Sequence, residues 1–298
     1  MTASFHRGEL AVQRRAGEAE IAARVARSVQ DEIPAAAAAY LAAQAFVVVA
    51  STDAGGHPDA SLLSGAPGFV RVTGPRTLVI DRIPASADPL VAALERAATP
   101  IGLLAIEPAT RRRVRINGTA SREGDRIVVT TEQVFANCPK YIAVREPTAL
   151  AAPTLDRRED APVLGAGDRA LIEAADAFFI ASTDGDGHVD ASHRGGAPGF
   201  VTVGRDGTLA FPDYAGNSMF MTLGNLEVDP RVALLFVDWA TGDVLELRGN
   251  ATIDWSRERA ATLPGARRVV DVAVAHVSRF PRASPLRWRL EELSPFNP

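Results

Sequence analysis

One segment of the chain occurs twice: residues 51–70 read STDAGGHPDASLLSGAPGFV, and residues 182–201 read STDGDGHVDASHRGGAPGFV. The two copies are 131 residues apart, and this offset persists without a gap as far as Gly118, which corresponds to Gly249. An unbroken register over so many residues predicts a duplicated domain. The sequence around each copy is therefore expected to form the same structural elements.

Both copies show the same order of predicted elements. A short helical pattern at residues 34–44 and 168–176 precedes an apolar run at residues 46–50 and 178–181, and an Asp/Gly cluster typical of a hairpin follows each run. Further strands are predicted at residues 77–81, 101–107, 113–120 and 127–131 and at 208–211, 232–238, 244–253 and 269–277, with one helix in each copy at 89–97 and 218–227. Many short strands around one helix indicate a mainly β protein with a few helices, built as two tandem antiparallel barrels.

The repeat divides the chain into four parts. We expect an N-terminal helical arm over residues 1–33, a first barrel over 34–150, a linker over 151–167 and a second barrel over 168–298. The boundary lies in the stretch 147–167, which contains Pro and Arg and lacks apolar periodicity. Each barrel is long enough to bury a core of its own.

Composition excludes several classes of protein. With 47% hydrophobic and 23% charged residues, the chain is typical of folded globular proteins. A net charge of -4 argues against a nucleic-acid partner, and no stretch approaches the roughly 20 apolar residues that a membrane span needs. Cys138 is the only cysteine, which favours a reducing, cytoplasmic location. The histidines and carboxylates show no ligand spacing, so no metal site is predicted.

The two copies differ at the positions where a ligand is expected. Residues 192–196 read SHRGG in the second copy, where the first copy has SLLSG at 61–65. Two apolar side chains are thus replaced by His193, which can form hydrogen bonds, and Arg194, which can bind a phosphate with two parallel bonds. The second copy is therefore the candidate for an anion site.

A second difference lies just before the helix of each copy. Residues 212–218 read PDYAGNS, opposite DRIPASA at 81–87. Gly216 would let the backbone approach an anion, and Asn217 or Ser218 would cap a helix whose free N–H groups favour phosphate. Because Lys140 is the only lysine, an anion site in this chain must use arginines, backbone N–H groups or helix ends.

These segments, with DPRVALLF at residues 229–236 and NCPKYI at 137–142, resemble the pyridoxamine 5'-phosphate oxidase-like family of FMN-binding split-barrel proteins. The resemblance covers about residues 35–290. It implies a six-stranded antiparallel split barrel in each copy and an FMN held in a cleft between two barrels. In ordinary members two chains supply the barrels. Here the two copies would pair within one chain, and a further homodimer stays open.

The resemblance also implies a set of site residues. Arg194 and the helix start at Asn217 and Ser218 would hold the FMN phosphate, the segment from Pro212 to Tyr214 would run beside the ring system, and Asn225 would support the loop. The predicted FMN-binding residues are Ser192, His193, Arg194, Gly195, Pro212, Asp213, Tyr214, Gly216, Asn217, Ser218, Asn225 and Lys140.

Several residues keep two interpretations. His193 would contact the flavin or a substrate, or else make a structural hydrogen bond. The run RRRVR at residues 111–115 is read as a solvated rim, with a grip on the flavin from the opposite barrel as the lesser interpretation. Cys138 is read as a small packed residue, with a reactive thiol as the alternative. Lys140 would anchor an anion at the barrel interface or be structural.

The expected function is that of an FMN-dependent oxidoreductase acting on a small molecule, in which the flavin carries the redox chemistry. The substrate, the electron donor and any catalytic residue stay open. Pyridoxamine phosphate oxidases use lysines as well as arginines around flavin and substrate, so the single lysine speaks against vitamin B6 activity. The alternatives are a flavin-binding carrier or sensor without turnover and a deazaflavin-dependent reductase on the same fold. Haem is the least favoured cofactor, because no histidine has an axial-ligand context.

Overall fold

Strands make up most of the regular structure in the computed structural model, which describes residues 5–150 and 156–298. The helices are α1 (Arg7–Ala16), α2 (Ala19–Val25), α3 (Ala35–Ala42), α4 (Pro89–Ala93), α5 (Ala166–Ala174), α6 (Met221–Val228) and α7 (Arg257–Ala260). The first strands are β1 (Phe46–Thr52), β2 (Pro58–Ser64), β3 (Val70–Gly74), β4 (Thr77–Ile80), β5 (Thr99–Glu107), β6 (Arg112–Glu123), β7 (Arg126–Ala136), β8 (Val144–Leu150) and β9 (Glu159–Ala161). The remaining strands are β10 (Ala177–Thr183), β11 (Val189–Gly195), β12 (Thr202–Val203), β13 (Leu209–Asp213), β14 (Arg231–Val237), β15 (Val244–Asp254), β16 (Arg268–Phe280) and β17 (Leu286–Glu292).

Two antiparallel sheets have the same strand order. The first runs β2-β1-β5-β6-β7-β4-β3, and the second runs β11-β10-β14-β15-β16-β13-β12. Each sheet encloses its own apolar core, so the predicted mainly β fold with two tandem antiparallel split barrels is confirmed. Each path has seven strands rather than the expected six, because a short strand, β3 or β12, pairs at one end.

The first strand of each sheet is buried on both faces, which explains its continuous apolar sequence. Val47 and Val49 face the core of the first barrel, whereas Val48 belongs to an apolar layer shared with the second barrel. Phe178 faces the core of the second barrel, and the adjacent Phe179 joins the shared layer. Successive side chains of a strand point to opposite faces, and full burial of one such side chain contributes about 1.5–3 kcal/mol.

The backbones of the two barrels approach closely where β5 crosses β11. A Cβ added to Gly102 would lie 2.6 Å from the backbone nitrogen of Ala191. Only a glycine fits at such a distance. Gly102 therefore allows the barrels to dock side by side, and this docking creates the cleft described below.

The N-terminal arm and the predicted linker contain regular structure. Helices α1 and α2 lie in the arm, and its first four residues are outside the described part. Within the predicted linker, residues 151–155 are also outside it, and β9 pairs with β16 of the second barrel. The chain passes from one barrel to the other through β8, which pairs with β17. No helix in the described residues is long and apolar enough to span a membrane.

Candidate functional site

A cleft opens to solvent between the two barrels. It encloses about 910 Å³ of empty space, a volume that includes open solvent at its mouth. β6 and residues 137–141 of the first half form one wall, and β11, β13 and the start of α6 form the other. Eleven predicted residues line it: Lys140, Ser192, His193, Arg194, Gly195, Pro212, Asp213, Tyr214, Gly216, Asn217 and Ser218.

Asn225 is the predicted residue that does not line the cleft. It lies in α6, is buried, and its Nδ2 donates to Ser182 Oγ in β10 at 2.9 Å. The side chain therefore fastens the helix to the second barrel, behind the wall of the cleft.

Two arginines of the first barrel reach the cleft. Arg113 and Arg115 lie two residues apart on β6, so their side chains point to the same face, and both line the cleft. Arg115 is only 6% exposed. The prediction of a solvated rim is therefore wrong for these two residues. The basic run was expected at the tip of a hairpin. Its residues from Arg112 onwards instead belong to the long strand β6, which faces the second barrel at this point.

Three guanidinium groups meet at the base of the cleft. Arg115 is paired with Asp190 of β11. In the described part of the chain, the guanidinium of Arg113 contacts the ring of His193, at 3.2 Å from Nδ1, and that of Arg194 donates to the carbonyl oxygen of His193 at 3.1 Å. The Nε atoms of all three arginines are buried and have no hydrogen-bond partner among the residues that the structure describes. Among the described residues, neither Arg113 nor Arg194 forms a salt bridge with a carboxylate, although Asp213 favours the charge of Arg194 from a distance.

Burial and mutual repulsion disfavour these charges. Burial and the neighbouring Arg194 lower the pKa of Arg113 to about 10, and burial lowers the pKa of Arg194. Arginine still stays protonated at neutral pH. Since an uncompensated buried cation is costly, an anion from solution would stabilise this arrangement.

His193 is held in the neutral form. Burial, together with Arg113 and Arg194, lowers its pKa well below the usual value. A neutral imidazole can accept a hydrogen bond from the Arg113 guanidinium, and the ring also packs edge-on against Phe179, with centroids 5.8 Å apart. The structural hydrogen bond considered from the sequence is thus present, and the ring also lines the cleft.

Gly195 brings the two walls together. A Cβ at this position would overlap the carbonyl oxygen of Tyr141 in the first half of the chain. On the same strand, Ser192 Oγ donates to Asp190 Oδ2 at 3.2 Å. This bond helps to hold the Asp190 carboxylate in position to pair with Arg115. The sequence SHRG therefore supplies a cation, a neutral acceptor and a close backbone approach within four residues.

The helix beyond the loop begins later than predicted. α6 starts at Met221, and neither Asn217 nor Ser218 caps it: Asn217 Oδ1 accepts from the backbone N–H of Met219 at 3.1 Å, and Ser218 Oγ donates to Glu18 at 2.5 Å. The cap position is held by Phe220, which makes no side-chain cap bond. The expectation failed because Ser218 and Phe220 have positive φ angles of 64° and 60°, which turn the chain before the helix can start.

The uncapped start of α6 faces the cleft. Met221, Thr222 and Leu223 all line it. The N–H groups in the first turn of a helix have no partner within the helix, and the helix dipole places partial positive charge there. This end of α6 and the arginine cluster therefore favour the same kind of ligand, an anion.

Aromatic and small residues form the rest of the walls. The rings of Tyr141 and Tyr214 lie 5.0 Å apart at an angle of 33°. Asp213 is paired with Arg268 at 2.9 Å, so its charge is compensated. No atom of the described residues lies within 4 Å of a Cβ placed on Gly216, which leaves open space beside the loop. Lys140 is half-buried, with its Nζ 5.7 Å from the centre of the Phe296 ring.

The equivalent position between the barrels lacks the basic side chains of the cleft. Leu62 and Leu63 occupy the places of His193 and Arg194, and Glu246 occupies that of Arg115. Glu246 is fully buried, and its Oε1 accepts from the backbone N–H of Ala60 at 2.8 Å. Burial and the nearby Asp59 raise the pKa of Glu246 to about 8. The second position therefore lacks the features of an anion site.

Comparisons with known proteins concern the second half of the chain most directly. Residues 167–292 match the family model described as pyridoxamine 5'-phosphate oxidase. A search of the curated proteins found no match. Among solved structures, HupZ from Group A Streptococcus is 16% identical, with 38% of this chain and 90% of that chain covered and a TM-score of 0.31.

Two further solved structures are similarly distant. An F420 reductase is 16% identical, with 38% and 98% of the two chains covered and a TM-score of 0.30. The FAD binding protein from Mycobacterium smegmatis is 17% identical, with 41% and 99% covered and a TM-score of 0.30. The family model includes β11, β13 and α6, which form one wall of the cleft. Residues 167–292 are therefore similar to the pyridoxamine 5'-phosphate oxidase family.

Proposed function

We propose that the cleft binds FMN and that the protein is an FMN-dependent oxidoreductase acting on a small molecule. The observation that carries this proposal is the pair of half-buried guanidiniums, Arg113 and Arg194, which have no salt bridge to a described carboxylate and lie beside the open start of α6. A phosphate monoester has a charge of about -1.5 to -2 at neutral pH, which matches these two cations.

The residues of the cleft fit the parts of FMN. Arg194, Arg113 and the N–H groups at the start of α6 would hold the phosphate with charge-assisted hydrogen bonds. The aromatic surface of Tyr141 and Tyr214 and the segment Pro212–Tyr214 offer apolar area for a flat ring system. The open space at Gly216 leaves room for the chain that joins ring and phosphate.

Bound FMN would supply hydride or electron transfer, and the protein would position it and control access to it. His193, held neutral, keeps the guanidinium of Arg113 in place without adding a third positive charge. Arg268 pairs with Asp213 and so offsets part of the negative charge that this carboxylate brings to the cleft. A small-molecule substrate or electron donor would enter through the open mouth between the barrels.

We also propose that one chain supplies the complete site. Its walls come from residues 34–150 and from residues 168–298, which we infer to be duplicated barrels because their sheets have the same strand order. The replacement of Arg194 and Arg115 by Leu63 and the buried Glu246 at the second position supports a single flavin site per chain. A homodimer would then contain two sites, each built within one chain.

The proposal is tested by titrating the purified protein with FMN and then adding NADH or NADPH in the absence of oxygen. We expect saturable quenching of flavin fluorescence, followed by loss of the oxidised flavin absorption band. Binding without reduction by either nucleotide, or by other small donors, would favour a carrier or sensor. Failure to bind FMN while binding a deazaflavin would contradict the choice of cofactor.

A further inference from the structure

The N-terminal arm packs on the second barrel, although it precedes the first barrel in sequence. α1 lies against α6 so closely that a Cβ on Gly8 would overlap the carbonyl oxygen of Gly224. Val12 of α1 is 1% exposed and belongs to the core of the second barrel. Further along, Gln30 pairs with Val134 of the first barrel. The arm therefore bridges both barrels.

Two side chains of the arm hold the loop in front of α6. The Nε2 of Gln13, which is buried, donates to the carbonyl oxygen of Met219 at 3.0 Å. Glu18 accepts from Ser218 Oγ at 2.5 Å through one carboxylate oxygen and pairs with Arg267 at 2.7 Å through the other. The arm thus contacts two consecutive residues of a loop that lines the cleft.

This loop has a conformation that it would not adopt readily by itself. Ser218 and Phe220 both have positive φ angles, which are unfavourable for residues with a Cβ. Such backbone persists where surrounding contacts enforce it. The bonds to Gln13 and Glu18 are contacts of this kind, and Ser218 is itself one of the left-handed residues.

We propose that Gln13 and Glu18 are positioning residues of the anion site. By holding residues 218–220 in their turned conformation, they keep the free N–H groups at the start of α6 directed towards the ligand phosphate. Arg267 compensates the carboxylate of Glu18, so the arm does not place an unpaired negative charge beside the anion. This inference rests on the proposed binding of FMN.

The test compares FMN with riboflavin, which has the same ring system and no phosphate. Dissociation constants of both flavins are measured by fluorescence quenching for the wild type, Q13A, E18A, E18Q and E20Q, with the Tm of each protein. E20Q is the matched control, because Glu20 is an exposed acidic residue of the same arm. E18Q is the conservative variant, since its amide oxygen can still accept from Ser218 Oγ.

We expect Q13A and E18A to weaken FMN binding about tenfold, the scale of one lost hydrogen bond at a charged site. Riboflavin binding should change less than about twofold, and E18Q should recover most of the lost FMN affinity. Unchanged FMN binding in Q13A and E18A would overturn the inference. An equal loss for both flavins would also overturn it, because it would show general damage to the fold.

A second set of variants keeps the test decisive if E18A folds poorly. S218A removes the same hydrogen bond from the side of the loop, so S218A and the double variant E18A/S218A should each weaken FMN binding as much as E18A does. Additive losses would overturn the inference. If the wild type binds neither flavin, or binds both equally well, the proposed function fails and the inference fails with it. If the wild type prefers FMN but the variants bind it as the wild type does, the role of the arm is refuted and the proposed function still stands.

Discussion

Replacement of Arg194 by Ala tests the anion site most sharply, because it changes ligand affinity and protein stability in opposite directions. Arg194 is a half-buried cation whose Nε is buried without a partner, and its only guanidinium bond in the described part of the chain is to the carbonyl oxygen of His193. Its charge also helps to lower the pKa of Arg113 and of Arg115. Removing it therefore relieves repulsion between buried charges.

The expected loss of FMN affinity follows from the bonds that Arg194 would make. A hydrogen bond to a charged group contributes about 1.5–3 kcal/mol, which corresponds to a loss of roughly 10- to 150-fold in Kd. Riboflavin lacks the phosphate, so its affinity should stay within about threefold. The Tm of the ligand-free protein should be unchanged or higher, because the remaining guanidiniums repel each other less.

Fluorescence titration with both flavins and thermal denaturation without ligand provide the measurements. R205A is the matched control, since Arg205 is exposed and lies outside the cleft. It should leave both flavin affinities and the Tm as in the wild type. Unchanged FMN affinity in R194A would remove Arg194 from the site. A large fall in the Tm of ligand-free R194A would show that the Arg194 side chain stabilises the fold, and it would refute this reasoning.

The remaining predictions concern the other wall, the second interface position and the close approach of the two halves. R113A should weaken FMN binding at least tenfold with little effect on riboflavin, and unchanged binding would show that the first barrel does not contribute. Burial raises the pKa of Glu246 to about 8 in the folded state, whereas the unfolded state releases this proton above about pH 4.5. The protein therefore loses stability as the pH rises towards 8. The free energy of unfolding, measured with urea between pH 5 and 9, should fall by up to about 1.4 kcal/mol per pH unit for this proton, and E246Q should flatten that dependence; an unchanged slope would contradict the assignment. G195A should lower the Tm and weaken FMN binding because a Cβ overlaps Tyr141, whereas G216A should leave the Tm unchanged; equal Tm values for the two variants would contradict the geometry.

The fold could be predicted from the sequence because the same pattern of strands and turns occurs twice in the chain. Each apolar run and hairpin signal has a counterpart 131 residues away, so local patterns support one another. The doubly buried strands β1 and β10 were recognisable as continuous apolar runs. The pairing of β9 with β16 was missed, since three residues of mixed polarity have no distinctive period.

The wall of the cleft that the first barrel supplies was harder to predict. Arg113 lies 80 residues before His193 in sequence, and their contact depends on how the two barrels dock, which no local pattern encodes. One signal was available: Arg113 and Arg115 are two residues apart on a predicted strand and therefore share a face. The close approach of the two backbones at Gly102 places this face opposite residues 192–195 of the second barrel.

The start of α6 was placed too early for a related reason. Asn217 and Ser218 are good cap residues by local propensity, yet the loop takes left-handed conformations that contacts from a distant arm support. Tertiary contacts of this kind override local preference. The dependence of the loop on Gln13 and Glu18, some 200 residues earlier in the chain, lies beyond what periodicity or capping rules can show.

The central claim is that one chain forms one site for the phosphate of a flavin, with cations from both barrels. The most direct measurement is the absorption spectrum of the purified protein after saturation with FMN and removal of the excess, followed by denaturation and quantification of the released flavin against chain concentration. The account predicts an oxidised flavin spectrum and one FMN per chain. A ratio near two would contradict the claim that the second position between the barrels does not bind flavin, and a ratio near zero would contradict the proposed site itself.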